Sequence, residues 1–204
     1  MSTGATMPIA QRKPAMFHDL PSHEIERLLR FEHTNPHGIL GAHPTPAGVV
    51  VRALRPDAAS MRVLADDGGA AWEMERRHDA GLFEARIAER AEVFGYTLEV
   101  TRHDGSRFVL KDPYCYLPTL GEIDLHLIGE GRHERLHDAL GAHVREFSGV
   151  RGVSFSVWAP SARGISVVGD GNGWDARYHP MRMLGSSGVW ELFIPGIGDG
   201  AIYK

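Results

Sequence analysis

Val49-Val50-Val51-Arg52-Ala53-Leu54-Arg55-Pro56-Asp57-Ala58 returns as Val153 to Ala162 at a constant offset of 104 residues. Pro56 falls on Pro160, Ala58 on Ala162, Met61 on Ile165, Val63 on Val167 and Asp66 on Asp170. Gly81-Leu82-Phe83-Glu84 then matches Gly188-Val189-Trp190-Glu191, and Tyr96 matches Tyr203, at an offset of 107. Upstream, Leu40-Gly41-Ala42-His43 recurs as Leu140-Gly141-Ala142-His143. Spacing kept through so many apolar and punctuating positions makes the chain a tandem of two related modules.

The repeated segments read as strands. Val153, Phe155 and Val157 alternate with Ser154, Ser156 and Trp158, the period of a half-buried strand. Pro160 ends that strand, because it cannot donate to a ladder. A second short strand is expected over Ile165 to Val168, running into the Gly169-Asp170-Gly171-Asn172-Gly173 turn and Trp174. In the first module strands are expected near 49–55, 60–65, 82–87, 94–101 and 106–111, with Trp72 on a further one. Phe83, Ala85 and Ile87 share a face, as do Tyr96, Leu98 and Val100, which supplies the inner layer of a sandwich. After Tyr96 the first module continues into a hairpin with an Asp104-Gly105 turn. Tyr203 is the penultimate residue, so the second sandwich is expected to be incomplete at its C-terminus.

Residues 1–16 read as a disordered lead-in and 17–38 as a helix and loop, with Ser22 as N-cap. The first sandwich takes 39–116. Residues 117–141 read as a linker: a tether over Leu117 to Gly121, a stretch from Glu122 to Ile128 whose helix or strand state stays open, and a brief helix from Arg132 to Leu140 capped by Gly141. The second sandwich takes 142–204. Trp158 and Trp190 are expected in core or inter-module packing.

Composition removes several function classes. A net charge of −4 with no Lys/Arg cluster argues against nucleic acid and anionic membrane as partners. The single cysteine, Cys115, cannot form an intrachain disulfide and fits a reducing compartment. The first thirty residues hold no signal-like apolar run, and no stretch is long enough to span a bilayer; a cytoplasmic location is expected. No cofactor motif is present.

One motif is a coincidence. His133-Glu134-Arg135-Leu136-His137 fits the H-E-x-x-H pattern of zinc proteases, in which two imidazoles one helical turn apart bind metal. The segment is short, glycines interrupt it upstream, and it lies between two β-modules. With twelve histidines in the chain, a solvated linker is the better reading and no metal site is expected. No paired-carboxylate setting for glycoside chemistry and no nucleophile constellation is found, so no catalytic residue is assigned. Trp174 is different: it follows a Gly-rich turn, where an indole either stacks on the apolar face of a sugar or folds back over the end of the sandwich.

Val157-Trp158-Ala159-Pro160, Val167-Val168-Gly169-Asp170 with Asn172-Gly173-Trp174-Asp175, His179-Pro180-Met181 and Gly188-Val189-Trp190-Glu191 together resemble the glycogen (1,4-α-glucan) branching enzyme family. Asp112-Pro113-Tyr114, Leu117 to Glu122 and the Gly129–Leu136 linker extend the likeness. Two positions depart from the family pattern: Gly171 stands where Phe is usual in the turn, and His137 where Tyr is usual. The resemblance implies an all-β fold of two tandem immunoglobulin-like (E-set) β-sandwiches, the second of the CBM48-like carbohydrate-binding type. It implies the N-terminal region of an enzyme that cuts α-1,4-glucan and rejoins it through α-1,6 bonds. Its catalytic carboxylates would lie on a (β/α)₈ barrel that these 204 residues do not include. The expected partners are α-1,4-glucan or glycogen and the enzyme's own barrel, with Trp174, Lys204 and Asn172 as glucan-binding residues. The alternatives are a stand-alone glucan-binding protein, or the N-terminal part of a related debranching or trehalose-releasing enzyme.

Overall fold

The computed structural model describes residues 20–204; the expected lead-in lies outside them. The chain runs α1 (Ser22–Leu29), β1 (Gly41–Thr45), β2 (Gly48–Leu54), β3 (Ala58–Ala65), β4 (Ala71–His78), β5 (Leu82–Ile87), β6 (Tyr96–Arg102) and β7 (Arg107–Leu110). It continues through α2 (Glu122–Gly129), α3 (Leu136–Ala139), β8 (Gly141–Phe147), β9 (Val150–Trp158), β10 (Arg182–Met183) and β11 (Val189–Pro195). The first seven strands pair antiparallel in the order β1-β2-β5-β4-β3-β6-β7. β4 belongs to two layers: its first half pairs with β3 and its second half with β5. Val49, Val51, Phe83 and Ile87 of one layer thereby bury against Met61, Val63, Leu98 and Val100 of the other. The remaining strands form a second sheet, β10-β11-β9-β8.

The repeat is visible in the pairing register. Gly41 faces Arg52 as Gly141 faces Ser156. Arg62 opposite Glu73 recurs as Ser166 opposite Pro180, and Ala65 opposite Tyr96 as Gly169 opposite Tyr203. The amide of Arg55 donates to Gly81, and that of Ala159 to Gly188, both at 2.8 Å.

The repeat also reaches further upstream than the sandwich. At an offset of 100, α1 recurs as α2, and Phe31 (φ 58°) as Gly131 (φ 67°), each in the left-handed turn that follows its helix. His33 Nε2 meets Glu24 at 2.7 Å, and His133 Nε2 meets Asp124 at 3.1 Å. The Nδ1 atoms accept from the amides of Asn35 and Arg135 respectively. Each Nδ1 being an acceptor, Nε2 carries the proton and donates to the carboxylate. This accounts for the zinc-like pattern: His133 closes a helix turn, His137 lies in the short α3, and among the described residues no group of three or more His, Cys, Asp or Glu is placed to hold a metal.

Several expectations are corrected. Ile165–Val168 is not a regular strand: on one side it forms the isolated Ser166–Pro180 bridge, flanked by bonds from Val167 N to His179 O and from Met181 N to Ile165 O, and on the other Val168 bonds Lys204. Ser22 does not cap α1: Pro21 occupies the cap position without a side-chain bond. The helix expected from Arg132 shrinks to the four residues Leu136–Ala139, and Gly141 (φ 108°) opens β8 instead of capping it. Glu122–Gly129 is helical. Trp158 is exposed on the surface, whereas Trp190 is fully buried. Val157 is 39% exposed where its counterpart Ala53 is 4%. In the first unit β6 and β7 supply that cover, and in the second Tyr203 and Lys204 stand at the matching positions. Ser154 and Ser156, expected to face outward, are buried.

That last burial shows what the linker does. Both faces of β11 are covered, which is why Val189-Trp190-Glu191-Leu192-Phe193-Ile194 is buried throughout. One face packs with β9 against residues of the first unit, Leu28, Leu40, Leu54 and Leu82 among them, in one continuous core. On the other face Tyr116 and Phe147 pack against Phe193, at ring distances of 4.8 and 5.7 Å. Leu120, Ile128 and Ala139 pack with Val189. The 117–121 segment is therefore a structural layer of the second unit and not a free tether.

The joint holds one buried acid. Asp112 accepts from the Tyr96 hydroxyl at 2.7 Å and from the Tyr114 amide at 2.9 Å, and burial pushes its pKa from 3.8 up to about 6. The folded state then binds this proton more tightly than the unfolded chain does. The stabilisation is complete below pH 4 and is lost as pH rises through 6. A rise of that size corresponds to roughly 2–3 kcal/mol. Asp112→Asn keeps an acceptor for Tyr96 and should flatten the fall in urea stability between pH 4 and 6; an unchanged slope would show that Asp112 does not titrate there.

Candidate carbohydrate site

The Gly-rich turn of the second unit is built to hold an indole out. Gly169 is extended, Asp170–Asn172 make one 3-10 turn, and Gly173 (φ 60°) and Trp174 (φ 62°) are both left-handed. A left-handed Trp is unusual and needs fixing in place. Its amide donates to Gly169 O at 3.0 Å, and its indole Nε1 donates to Asp170 Oδ1 at 3.0 Å. The side chain stays 49% exposed. One edge of the ring is tied down while the indole remains half open to water.

Asn172 is the hub of this turn. Its Oδ1 accepts from Gly169 N at 2.9 Å, and its Nδ2 donates to Val167 O at 2.8 Å and to His179 Nδ1 at 2.9 Å. Both amide protons are used, and one lone pair of Oδ1 is left for an outside donor. His179 can accept only while Nδ1 is unprotonated. Burial, with Arg55 nearby, lowers its pKa from 6.5 to about 4, so it accepts throughout the neutral range.

Lys204 enters from the other side. Its backbone exchanges two hydrogen bonds with Val168, at 2.8 and 3.0 Å, and Tyr203 lies opposite Gly169 with its ring 5.0 Å from Phe155. All three residues singled out in the sequence are thus anchored on Val167–Gly169: Asn172 on Val167 and Gly169, Trp174 on Gly169, Lys204 on Val168. A cavity of about 400 Å³, lined by Phe155, Val167, Gly171, Asn172, Ile197 and Tyr203, opens beside them. No sequence signal pointed to the Gly196–Ala201 loop that forms its far wall. At Gly171 an added Cβ would have only Ile197 within 4 Å, at 3.8 Å, so the backbone here is not crowded. The turn thus presents an apolar ring face, an amide acceptor and a carboxylate, whereas neither Trp174 nor Lys204 lines the cavity itself and Lys204 borders a separate one with Leu140, Trp158 and Tyr203.

Residues 21–114 match the family model described as alpha-1,4-glucan branching enzyme GlgB, N-terminal domain. Residues 139–204 match that of carbohydrate-binding module 48 (Isoamylase N-terminal domain). The 1,4-alpha-glucan branching enzyme GlgB of Myxococcus xanthus is 52% identical over 95% of this chain and 26% of its own length. That of Thermobifida fusca is 54% identical over 87% of this chain and 24% of its own. The chain therefore spans about a quarter of the length of the curated relatives it matches. The two family models in tandem and these relatives place the chain in one family: it belongs to the N-terminal region of the 1,4-alpha-glucan branching enzymes.

Proposed function

We propose that the chain is the glucan-holding front part of an enzyme that transfers α-1,4-glucan chains to form α-1,6 branches, and that it works in the cytoplasm. The catalytic carboxylates of that reaction belong to polypeptide outside these residues, and the 204-residue chain alone has no branching activity. Its own contribution is to hold a glucan at the Gly169–Trp174 turn. Trp174 stacks on one glucose face, Asn172 accepts from a hydroxyl through its free lone pair, and Lys204 donates to another. The observation that carries this reading is the tethered, half-exposed indole of Trp174, its amide bonded to Gly169 and its Nε1 to Asp170.

Stacking on one ring contributes about 1 kcal/mol, so affinity in the millimolar range is expected. Titrating with maltoheptaose while following Trp fluorescence should give a saturable change in the wild type. Trp174→Ala should remove most of that change. The same signal in both proteins would exclude Trp174 from the site. Iodine-detected branching of amylose by the purified chain would overturn the claim of inactivity.

A further inference from the structure

The two units are joined through one defined face of the first. Its backbone comes from the turn after α1: the Phe31 carbonyl lies where a Cβ on Gly164 would sit, and Thr34 O accepts from Met183 N at 2.7 Å. Glu32 pairs with Arg163 at 3.7 Å on the rim. Its apolar centre is Pro36, Leu40 and Leu54, all buried in the joint or beneath it.

The same face exists on the second unit. Its foundations are as well buried as those of the first: Ile128, Ala139 and Val189 stand for Leu28, Ile39 and Leu82. Its outer residues differ sharply. Leu54 is 4% exposed, and its counterpart Trp158 is 55% exposed. Pro36 is buried, and its counterpart Leu136 is 43% exposed. Leu40 is fully buried, and Leu140 only partly. An indole and two leucines set on a rigid, well-packed base at the copied positions of an existing interface form an unfilled seat.

We propose that this face, centred on Trp158 with Leu136 and Leu140, is where the next folded part of the longer polypeptide docks, head to tail, as the second unit docks on the first. The register of the repeat describes the occupant. It presents an apolar surface to Trp158 and a backbone N–H to the carbonyl of Glu134, the counterpart of Thr34. Where Glu32 meets Arg163 in the first joint, Arg132 now stands, so the occupant's rim carries a carboxylate there. The relatives' size supplies the occupant, since this chain matches only 26% of the Myxococcus xanthus enzyme. The inference rests on the proposed function only in that more of the enzyme accompanies these residues. It does not depend on glucan binding at Trp174.

Hydroxyl-radical footprinting read by mass spectrometry tests it. The 204-residue chain is compared with a chimera in which it replaces the matching region of the Myxococcus xanthus enzyme. Oxidation of Trp158 should fall at least tenfold in the chimera. That of Trp174, exposed and off this face, should stay within twofold, and buried Trp190 should stay unreactive in both as the check on folding. Trp158→Ser should lower the Tm of the chimera by about 5 °C and leave that of the 204-residue chain unchanged. Should Trp190 react in the chimera, the Thermobifida fusca remainder replaces the first. Equal oxidation of Trp158 in both proteins overturns the proposal. Concentration-dependent protection of Trp158 in the short chain, which means a second copy, also overturns it. So does protection by maltoheptaose, which means a sugar.

Discussion

Glu191→Ala is expected to destabilise the chain by about 3–5 kcal/mol, enough to unfold the second unit under mild conditions. Glu191 is fully buried on β11. One carboxylate oxygen takes Arg182 Nε at 3.0 Å and Nη2 at 2.8 Å; the other takes the amide and hydroxyl of Thr119 at 3.2 and 2.9 Å. The remaining Arg182 nitrogen donates to Tyr116 O at 3.0 Å. One buried pair therefore fixes β10 to β11 and clamps the 116–119 segment over the sheet. Truncating Glu191 strands the Arg182 guanidinium, only 10% exposed, without a counter-charge. It also leaves two Thr119 donors unpaired. Replacing both members, as in Arg182→Met with Glu191→Leu, removes the stranded charge and should restore most of the loss. Urea unfolding followed by Trp190 fluorescence measures both; a cost under about 1 kcal/mol for Glu191→Ala would mean that the pair is not buried as described.

The first unit carries a buried pair of the same kind. Glu84, the counterpart of Glu191, holds Arg52 at 2.7 Å, but its second oxygen faces the partly exposed Arg86 at 2.7 Å. Loss of Glu84 strands the Arg52 guanidinium, 10% exposed like that of Arg182, so a cost of the same order is expected.

The repeat was legible because β pairing converts spacing into register. Offsets of 104 and 107 through Pro56/Pro160 and Tyr96/Tyr203 correspond to pairings that recur residue for residue. The 100-residue offset of the helices was there to be read too, in Leu20/Leu120, His33/His133 and Leu40/Leu140. It was obscured because α1 is amphipathic and polar whereas α2 reads as Ile-Asp-Leu-His-Leu-Ile, and because His133 fell inside an apparent metal motif. Ile165–Val168 alternates like a strand, but its pairing is split between two neighbours, His179–Met181 on one side and Tyr203–Lys204 on the other, with one isolated bridge to each segment. Burial of Ser154 and Ser156 could not be foreseen from β9 alone, since the cover comes from the linker. In the candidate site the tryptophan was legible from the turn, whereas the role of Asn172 depended on His179, seven residues away and visible only once the turn had closed.

Gly188→Ala and Gly81→Ala should each cost about 3 kcal/mol, about twice the cost of Gly105→Ala. All three glycines are left-handed, at φ 74°, 94° and 82°, so a methyl group at any of them brings about 1–2 kcal/mol of backbone strain. At Gly105 nothing lies within 4 Å, and that strain is the whole effect. At Gly188 the new Cβ would sit 2.7 Å from Pro160 Cβ and 2.8 Å from its Cα; at Gly81, 2.5 Å from Arg55 O and 2.7 Å from Pro56 Cα. Backbone and a proline ring cannot swing aside, so the strand-ending corner itself must move. That movement breaks the bond from Ala159 N to Gly188 O, or from Arg55 N to Gly81 O. The glycine and the proline in each unit are thus one contact written at two places in the sequence, which is why both survive at matched positions of the repeat. Denaturation midpoints of the three variants decide the matter: if Gly105→Ala is as damaging as Gly188→Ala, backbone strain alone sets the cost and the Gly–Pro contact contributes nothing.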